Sequence, residues 1–269
     1  MQNDAKYVRM VRQAHHERDE FSKKENNYVY FEEPNPGILK LFNLIGSNKK
    51  ILDIGCGFGA LGQEFKKQNN YVVGIDISQY AIDIAKTRLN QAYVCDITDK
   101  NNLNFLHENS FDFIIFADIL EHLYDPEKIL KIFNNYLKKD GHIIVSLPNI
   151  AAWQIRLKLL FGKFDYQETG ILDKTHIKFF TKKTAKKLIE NSGYKVEKIF
   201  ATPYFIRALL PFVRKFFKKT AQENNNPRAI IDSKAYKFYL KYFYSVESFF
   251  TKINTKFFAF QFIFYAGKK

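Results

Sequence analysis

The sequence predicts an α/β fold built on a parallel sheet, and three observations carry that expectation. Short apolar runs rich in Ile, Val and Phe recur from Lys50 onward, and helix-patterned stretches separate them. The first run ends in a glycine-rich segment, Leu52-Asp53-Ile54-Gly55-Cys56-Gly57-Phe58-Gly59-Ala60. Strands alternating with helices form a parallel sheet covered on both faces. Right-handed crossovers then line up the strand C-termini along one edge, where such sheets bind ligands.

The strand candidates are 49–55, 71–76, 92–97, 111–118 and 141–148, each bounded by Gly, Asp or Pro. Helices are predicted over 60–69, over 78–90 with Ser78 as N-cap, and over 126–138 with Asp125 as N-cap and Pro126 in the first turn. Beyond Pro148 the pattern loosens. Residues 151–161 and 184–191 read as helices, with Gly193 as a stop, and 194–201 as a strand. Two further helices, 203–220 and 233–251, flank the polar loop QENNNPR and form a helical insertion before a last strand over 257–265.

Composition narrows the function classes. The 269 residues are 46% hydrophobic and 26% charged, enough for a packed core and too apolar for wholesale disorder. Two cysteines cannot make a disulfide framework, no C-x-x-C pair is present to hold zinc, and no metal is expected. The opening MQNDAKYVRMVRQAHHERDE holds no apolar core, so no secretory leader is expected there. The longest uncharged stretch, 141–155, is 15 residues and contains Pro148, too short for a membrane span. A cytoplasmic protein is the expectation.

Charge is unevenly spread. Residues 1–150 carry 18 Lys/Arg against 20 Asp/Glu, and residues 151–269 carry 24 against 8. The last 69 residues also hold 19 of the 45 aromatics. A near-neutral front and a basic, aromatic back suggest two tasks on one chain.

The glycine loop lets the backbone turn tightly and approach a ligand. Gly55-x-Gly57-x-x-Ala60 also fits a dinucleotide fingerprint, so the glycines alone leave that reading open. Asp53 argues against it, because a carboxylate beside the loop repels a pyrophosphate and attracts a ligand bearing an ammonium and a sulfonium. S-adenosylmethionine is such a ligand. Asp76 ends the second strand, where a carboxylate can accept two ribose hydroxyls. Asp96 and Asp118 end the third and fourth, and Asp96 is placed to receive an adenine amino group.

These segments, with GIDIS, CDITD, FDFIIFADILEHLYDPEKILK and LKKDGHIIVSLPN, resemble the motif series of class I S-adenosylmethionine-dependent methyltransferases. The subgroup they are most similar to contains ubiquinone-pathway O-methyltransferases and methyltransferases encoded with cell-surface polysaccharide genes. The likeness covers roughly 25–200 and the last strand. It implies a Rossmann-like, mostly parallel seven-stranded sheet with an antiparallel last strand. It also implies a division into an N-terminal helical segment and cofactor cover (1–48), a cofactor-binding core (49–202), a basic aromatic insertion (203–255) and the final strand (256–269). By the resemblance, Asp53, Gly55, Cys56, Gly57 and Gly59 line the methionine part, Asp76 the ribose, and Ile77, Asp96 and Ile97 the adenine. Asp118 and Ile119 sit behind the sulfonium, and the aromatic stretch 28–36 closes over the cofactor.

Methyl transfer needs an aligned acceptor, and a base when the acceptor is a hydroxyl. His122, just past the fourth strand, and His176, in Leu172-Asp173-Lys174-Thr175-His176, are the candidates, since histidine titrates near neutrality. His15, His16, His107 and His142 read as surface or loop residues. The expected acceptor is a small-molecule, sugar or lipid-linked hydroxyl. The insertion interleaves apolar and basic residues, which suits peripheral contact with an anionic membrane. A non-catalytic cofactor-binding or membrane-interaction module and an RNA methyltransferase stand as alternatives. Nucleic acid is disfavoured, because Phe116-Ala117-Asp118-Ile119 is not the Asn/Asp-Pro-Pro-Tyr/Phe motif of enzymes that methylate base amines.

Overall fold

Alternation along the central strands divides the apolar residues between two faces. Ile51, Phe113 and Ile115 point to one side with Val72, Phe65 and Ile82. Leu52, Ile54, Ile114, Phe116, Val145 and Leu147 point to the other with Phe133 and Ile189. Strands buried on both faces need cover on both, which the intervening helices supply. The structure, a computed structural model, describes residues 42, 44–167, 170–203, 249 and 251–269. The expected aromatic cover at 28–36, most of the 1–48 segment and nearly all of the two predicted insertion helices lie outside them, while Pro203, expected to open the first, ends a strand.

The strands are β1 (Lys50–Ile54), β2 (Tyr71–Asp76), β3 (Gln91–Val94), β4 (Phe111–Ala117), β5 (Leu137–Pro148), β6 (Tyr194–Pro203) and β7 (Ala259–Lys268). They form one seven-stranded sheet in the order β3-β2-β1-β4-β5-β7-β6. Neighbours among β1–β5 run parallel, and β7 is antiparallel to both β5 and β6. The helices described over their whole length are α1 (Ala60–Lys67), α2 (Gln79–Arg88), α3 (Pro126–Asn134), α4 (Trp153–Leu160), α5 (Lys182–Asn191) and the short α6 (Thr255–Phe258). The chain winds outward from β1 through β2 and β3, then returns to place β4 on the other side of β1. The strand order therefore reverses between β1 and β4, where a crevice opens at the C-terminal edge. Pro203 pairs with Ala259 and Pro148 with Gln261, so the chain leaves β6 and re-enters at β7 along that same edge.

Local signals set most helix starts. Ser78 Oγ accepts from Ala81 N–H, and Asp125 Oδ1 from Lys128 N–H with Pro126 in the first turn. Thr181 and Thr184 cap α5 reciprocally, starting it two residues before the predicted 184. The helix predicted over 126–138 stops at Asn134, and β5 begins at Leu137 rather than 141. Pairing with β4 prevails over helical composition there: Ser110 and Phe111 donate to Tyr136 O, and Lys138 Nζ meets Asp112 Oδ1 at 2.8 Å. β3 ends at Val94, so Asp96 lies in the following turn, where its Oδ1 accepts from the N–H and hydroxyl of Thr98. His142 is a β5 residue, not a loop one, its ring stacked 4.4 Å from that of Tyr265.

Phe116 sits at the sheet centre, fully buried, in edge contact with Phe133 at 5.7 Å. Phe116→Ala removes that contact and leaves a cavity between β4 and α3, costing about 3–5 kcal/mol. Denaturant unfolding should show the midpoint fall with the slope retained.

Candidate functional site

The three glycines of the loop between β1 and α1 serve three purposes. Gly55, Gly57 and Gly59 all have positive φ, at +67°, +51° and +75°. A Cβ on Gly55 would fall 2.8 Å from Ile119 Cδ1, and one on Gly59 would fall 3.0 Å from Leu89 Cγ. Those two positions are closed by packing. A Cβ on Gly57 would meet nothing within 4 Å, so Gly57 is where the backbone faces open space. Gly55 and Cys56 donate to Ile75 O at 2.8 and 3.0 Å, which ties the loop to β2. Cys56 turns inward: its Sγ lies 2.7 Å from where a Cβ on Gly74 would stand, so it presents backbone and not thiol to the crevice.

Two carboxylates lie under this loop. Asp76 Oδ2 accepts from Gly57 N–H at 2.8 Å and its Oδ1 from Ser78 N–H at 3.0 Å, which pins the end of β2 to the loop. Asp53 is 1% exposed, and its Oδ2 has no hydrogen-bond partner. Burial, and secondarily the charge of Asp76, push its carboxyl up to about 7. Ile77 is half-buried beside Asp76, while Ile97 is buried in the core behind β3. A buried carboxylate with one oxygen unbonded, beside a second acidic group, fits a ligand that brings positive charge and opposes one that brings a pyrophosphate. On that observation the residues present fit S-adenosylmethionine better than a dinucleotide.

Across the crevice, Asp118 takes φ +54°, unusual for a side-chain-bearing residue. Ser146 Oγ accepts from Asp118 N–H and donates to its Oδ1, both at 3.1 Å, and Gln261 Nε2 from β7 donates to the same oxygen. Burial raises the Asp118 carboxyl, and those two hydrogen bonds oppose the shift. Ile119 lies over Gly55, next to the loop. The turn Leu120–His122 follows. Glu121 O accepts from Ile177 and Lys178 N–H, both at 3.0 Å, fastening the 171–178 loop to the end of β4.

That fastening brings the two predicted histidines together, with ring centroids 4.8 Å apart. His122 Nδ1 lies 3.2 Å from Thr175 O and 3.1 Å from Thr175 Oγ1, and His176 Nδ1 lies 3.1 Å from Ile171 O. Sequence reasoning missed their third member. Glu121 is 1% exposed with neither carboxylate oxygen hydrogen-bonded, and its Oε1 stands 3.9 Å from His176 Nε2. Burial and then the charge of Asp118 hold its carboxyl well above the usual range. The adjacency of an acid and a histidine past a strand end was the available signal. Ser146 and Gln261 carried no such signal, since the tertiary fold alone puts them on Asp118.

Comparison with known proteins agrees with this geometry. A family model described as a methyltransferase domain matches residues 25–199. Ubiquinone biosynthesis O-methyltransferases are among the relatives. The one from Acinetobacter baylyi is 28% identical over 107 residues, 38% of this chain and 45% of that protein. The one from Glaesserella parasuis is 33% identical over 123 residues, 43% and 52% respectively. The match thus spans about half the length of these relatives. Among solved structures, an S-adenosylmethionine-dependent methyltransferase from Archaeoglobus fulgidus covers 92% of this chain and 98% of its own, with TM-score 0.58 and 19% identity. Phosphoethanolamine N-methyltransferase 2 of Haemonchus contortus, in complex with S-adenosyl-L-methionine, covers 87% and 52%, with TM-score 0.54 and 16% identity. These likenesses show the fold.

The Asp53 carboxyl gives a pH signature. Its folded value, about 7, lies above the ordinary 3.8, so the folded state keeps a proton that the unfolded chain gives up. Stability from this group is full below pH 4 and is lost as pH rises through 7. Between pH 5 and 8 the ligand-free chain should lose roughly 2–3 kcal/mol from this source. Denaturant unfolding of Asp53→Asn at both pH values should lack that component.

Proposed function

The chain belongs to the methyltransferase-domain family whose model spans residues 25–199, and on that premise we propose that it transfers a methyl group from S-adenosyl-L-methionine to a hydroxyl of a small-molecule, sugar or lipid-linked acceptor. The observation that carries this reading is the buried Asp53 carboxylate, whose Oδ2 has no hydrogen-bond partner, beneath a loop whose Gly57 opens to the crevice. The donor supplies a methyl group made electrophilic by its positive sulfur. The chain's own residues bind it and align the acceptor, which is where proximity catalysis gains most. Asp53 meets the charge of the methionine part, and Gly55, Cys56, Gly57 and Gly59 line it with backbone. Asp76 takes the ribose hydroxyls, while Ile77, Asp96 and Ile97 flank the adenine. Asp118 and Ile119 border the reacting end, and His122 and His176 serve the acceptor side, where a hydroxyl proton has to leave.

An oxygen acceptor is supported by the relatives, which are ubiquinone biosynthesis O-methyltransferases. Among the described residues no helix is long and apolar enough to cross a membrane. Residues 203–255 are basic and aromatic, and the chain departs for that segment and returns from it at the crevice edge. We place the protein in the cytoplasm, with this segment as a peripheral contact for an anionic membrane and 1–48 as the cofactor cover.

Calorimetry with S-adenosylmethionine and with its demethylated product tests the donor site. A cation beside Asp53 favours the ionised carboxylate, so affinity should rise as pH goes from 5.5 to 7 and flatten above. Asp53→Asn should flatten that dependence and weaken binding by about tenfold. Absence of binding, or preferential binding of NADH, would overturn the reading. Co-sedimentation with vesicles rich in anionic phospholipid tests the membrane contact. The full chain should pellet at low salt, and a version lacking 204–254 should stay in solution.

A further inference from the structure

We infer that Phe164, Tyr166 and Phe179 form a stacking platform for a sugar ring, and that the methyl acceptor is accordingly a glycosyl compound. The second half of that statement rests on the methyl-transfer reading, whereas the platform stands on its own geometry.

The end of α4 turns the chain onto this surface. Gly162 takes φ +67°, its N–H donates to Leu159 O at 2.9 Å, and Lys163 N–H reaches back to Lys158 O, also at 2.9 Å. Those two bonds make the glycine-terminated Schellman arrangement, which stops a helix and redirects the backbone. The stretch that follows is pinned to the 171–174 turn. Gln167 N–H donates to Leu172 O at 2.8 Å, and Lys174 N–H to Gln167 O at 2.9 Å. A segment held at both ends keeps its side chains in place before a ligand arrives, which lowers the entropy lost on binding.

Three rings meet there. Phe164 stands edge-on to Tyr166 at 5.5 Å and to Phe179 at 5.8 Å, and Tyr166 lies 6.5 Å from Phe179. Phe179 is half-buried and packs against the small core of Ala152, Ile155, Ile171 and Leu172. Phe164 and Tyr166 rest on it and are 40% and 56% exposed. The cluster adjoins the acceptor side of the crevice: the Phe179 ring is 6.4 Å from that of His176. Phe179 also directly follows Ile177 and Lys178, whose N–H groups fasten the loop to Glu121 O.

The geometry selects the class of ligand. Rings in mutual contact leave no gap between them, so they do not cage an ammonium group, and what they offer is their outer surface. Lys163 and Asp165, both exposed, alternate with the rings in sequence, and Tyr166 adds a phenol hydroxyl. A wholly apolar chain laid here strips water from those polar groups and returns nothing. A pyranose is apolar across its C–H face and polar around its rim. Its face suits an aromatic ring, and its hydroxyls stay open to polar side chains or to water. One of those hydroxyls is the oxygen that methyl transfer requires.

The test is saturation-transfer NMR on the full chain with S-adenosylhomocysteine present, using the methyl glycosides of glucose, galactose, mannose and rhamnose at millimolar concentration. Irradiating the protein's aromatic protons should carry saturation to the ring C–H protons of at least one glycoside. Phe164→Ala and Tyr166→Ala, at exposed positions, should each weaken its binding about fivefold with the melting temperature unchanged. Tyr71→Ala, an exposed ring at the start of β2, should leave binding as it is. Octyl glucoside below its micelle concentration and UDP-glucose separate the sources of the sugar. Tighter binding of the first assigns the acceptor to lipid-linked sugars, tighter binding of the second to nucleotide sugars, and each supports the platform. Absence of transfer to all the glycosides overturns it, as does transfer that survives both substitutions or that hexanol abolishes as readily as excess glycoside. Binding of S-adenosylhomocysteine without any glycoside defeats the platform and leaves the methyl-transfer reading. Glycoside binding by a chain that takes up no S-adenosylhomocysteine defeats that reading and leaves the platform as a sugar-binding surface.

Discussion

The hydrogen bond from Gly57 N–H to Asp76 Oδ2 is the constraint on which the crevice depends. It joins the loop after β1 to the end of β2 and holds three left-handed glycines in one arrangement. It also fixes a carboxylate near Asp53, which has nothing to offset its own burial. A buried carboxyl that loses its proton out of water is costly, and a fold retains such a group where a ligand supplies the missing charge. The sheet order makes this possible, because only at the reversal between β1 and β4 does the C-terminal edge open between flanking helices.

On the other side of the crevice the same economy of charge recurs. Asp118 is held by Ser146 and Gln261, so β7, the last strand in the chain, helps to fix the end of β4. Glu121 has no such hydrogen-bonding partners, although its backbone carbonyl receives two N–H groups from the 171–178 loop. The backbone there is satisfied and the side chain is not.

Much of this was legible in the residues. Short runs rich in Ile, Val and Phe, bounded by Gly, Asp or Pro, located the five parallel strands, because a strand buried on both faces has little room for other side chains. Ser78 and Asp125 marked helix starts through local hydrogen bonds that need no tertiary context. The boundary at 134–137 was not legible, since pairing with Phe111 overrides a composition that suits a helix. Nor was the inward turn of Cys56, which depends on the absent side chain of Gly74 on the next strand. His122 and His176 could be chosen separately from their neighbours in sequence. Their contact, and the part played by Glu121, required the loop to fold back on β4.

The central claim is that Asp53 awaits a positively charged ligand. Carbon-13 NMR titration of the Asp53 carboxyl, in the free protein and in its complex with S-adenosylhomocysteine, tests it most directly. The account predicts a midpoint of about 7 in the free protein and a fall of at least one pH unit in the complex. A midpoint that stays in place or climbs on binding would contradict it.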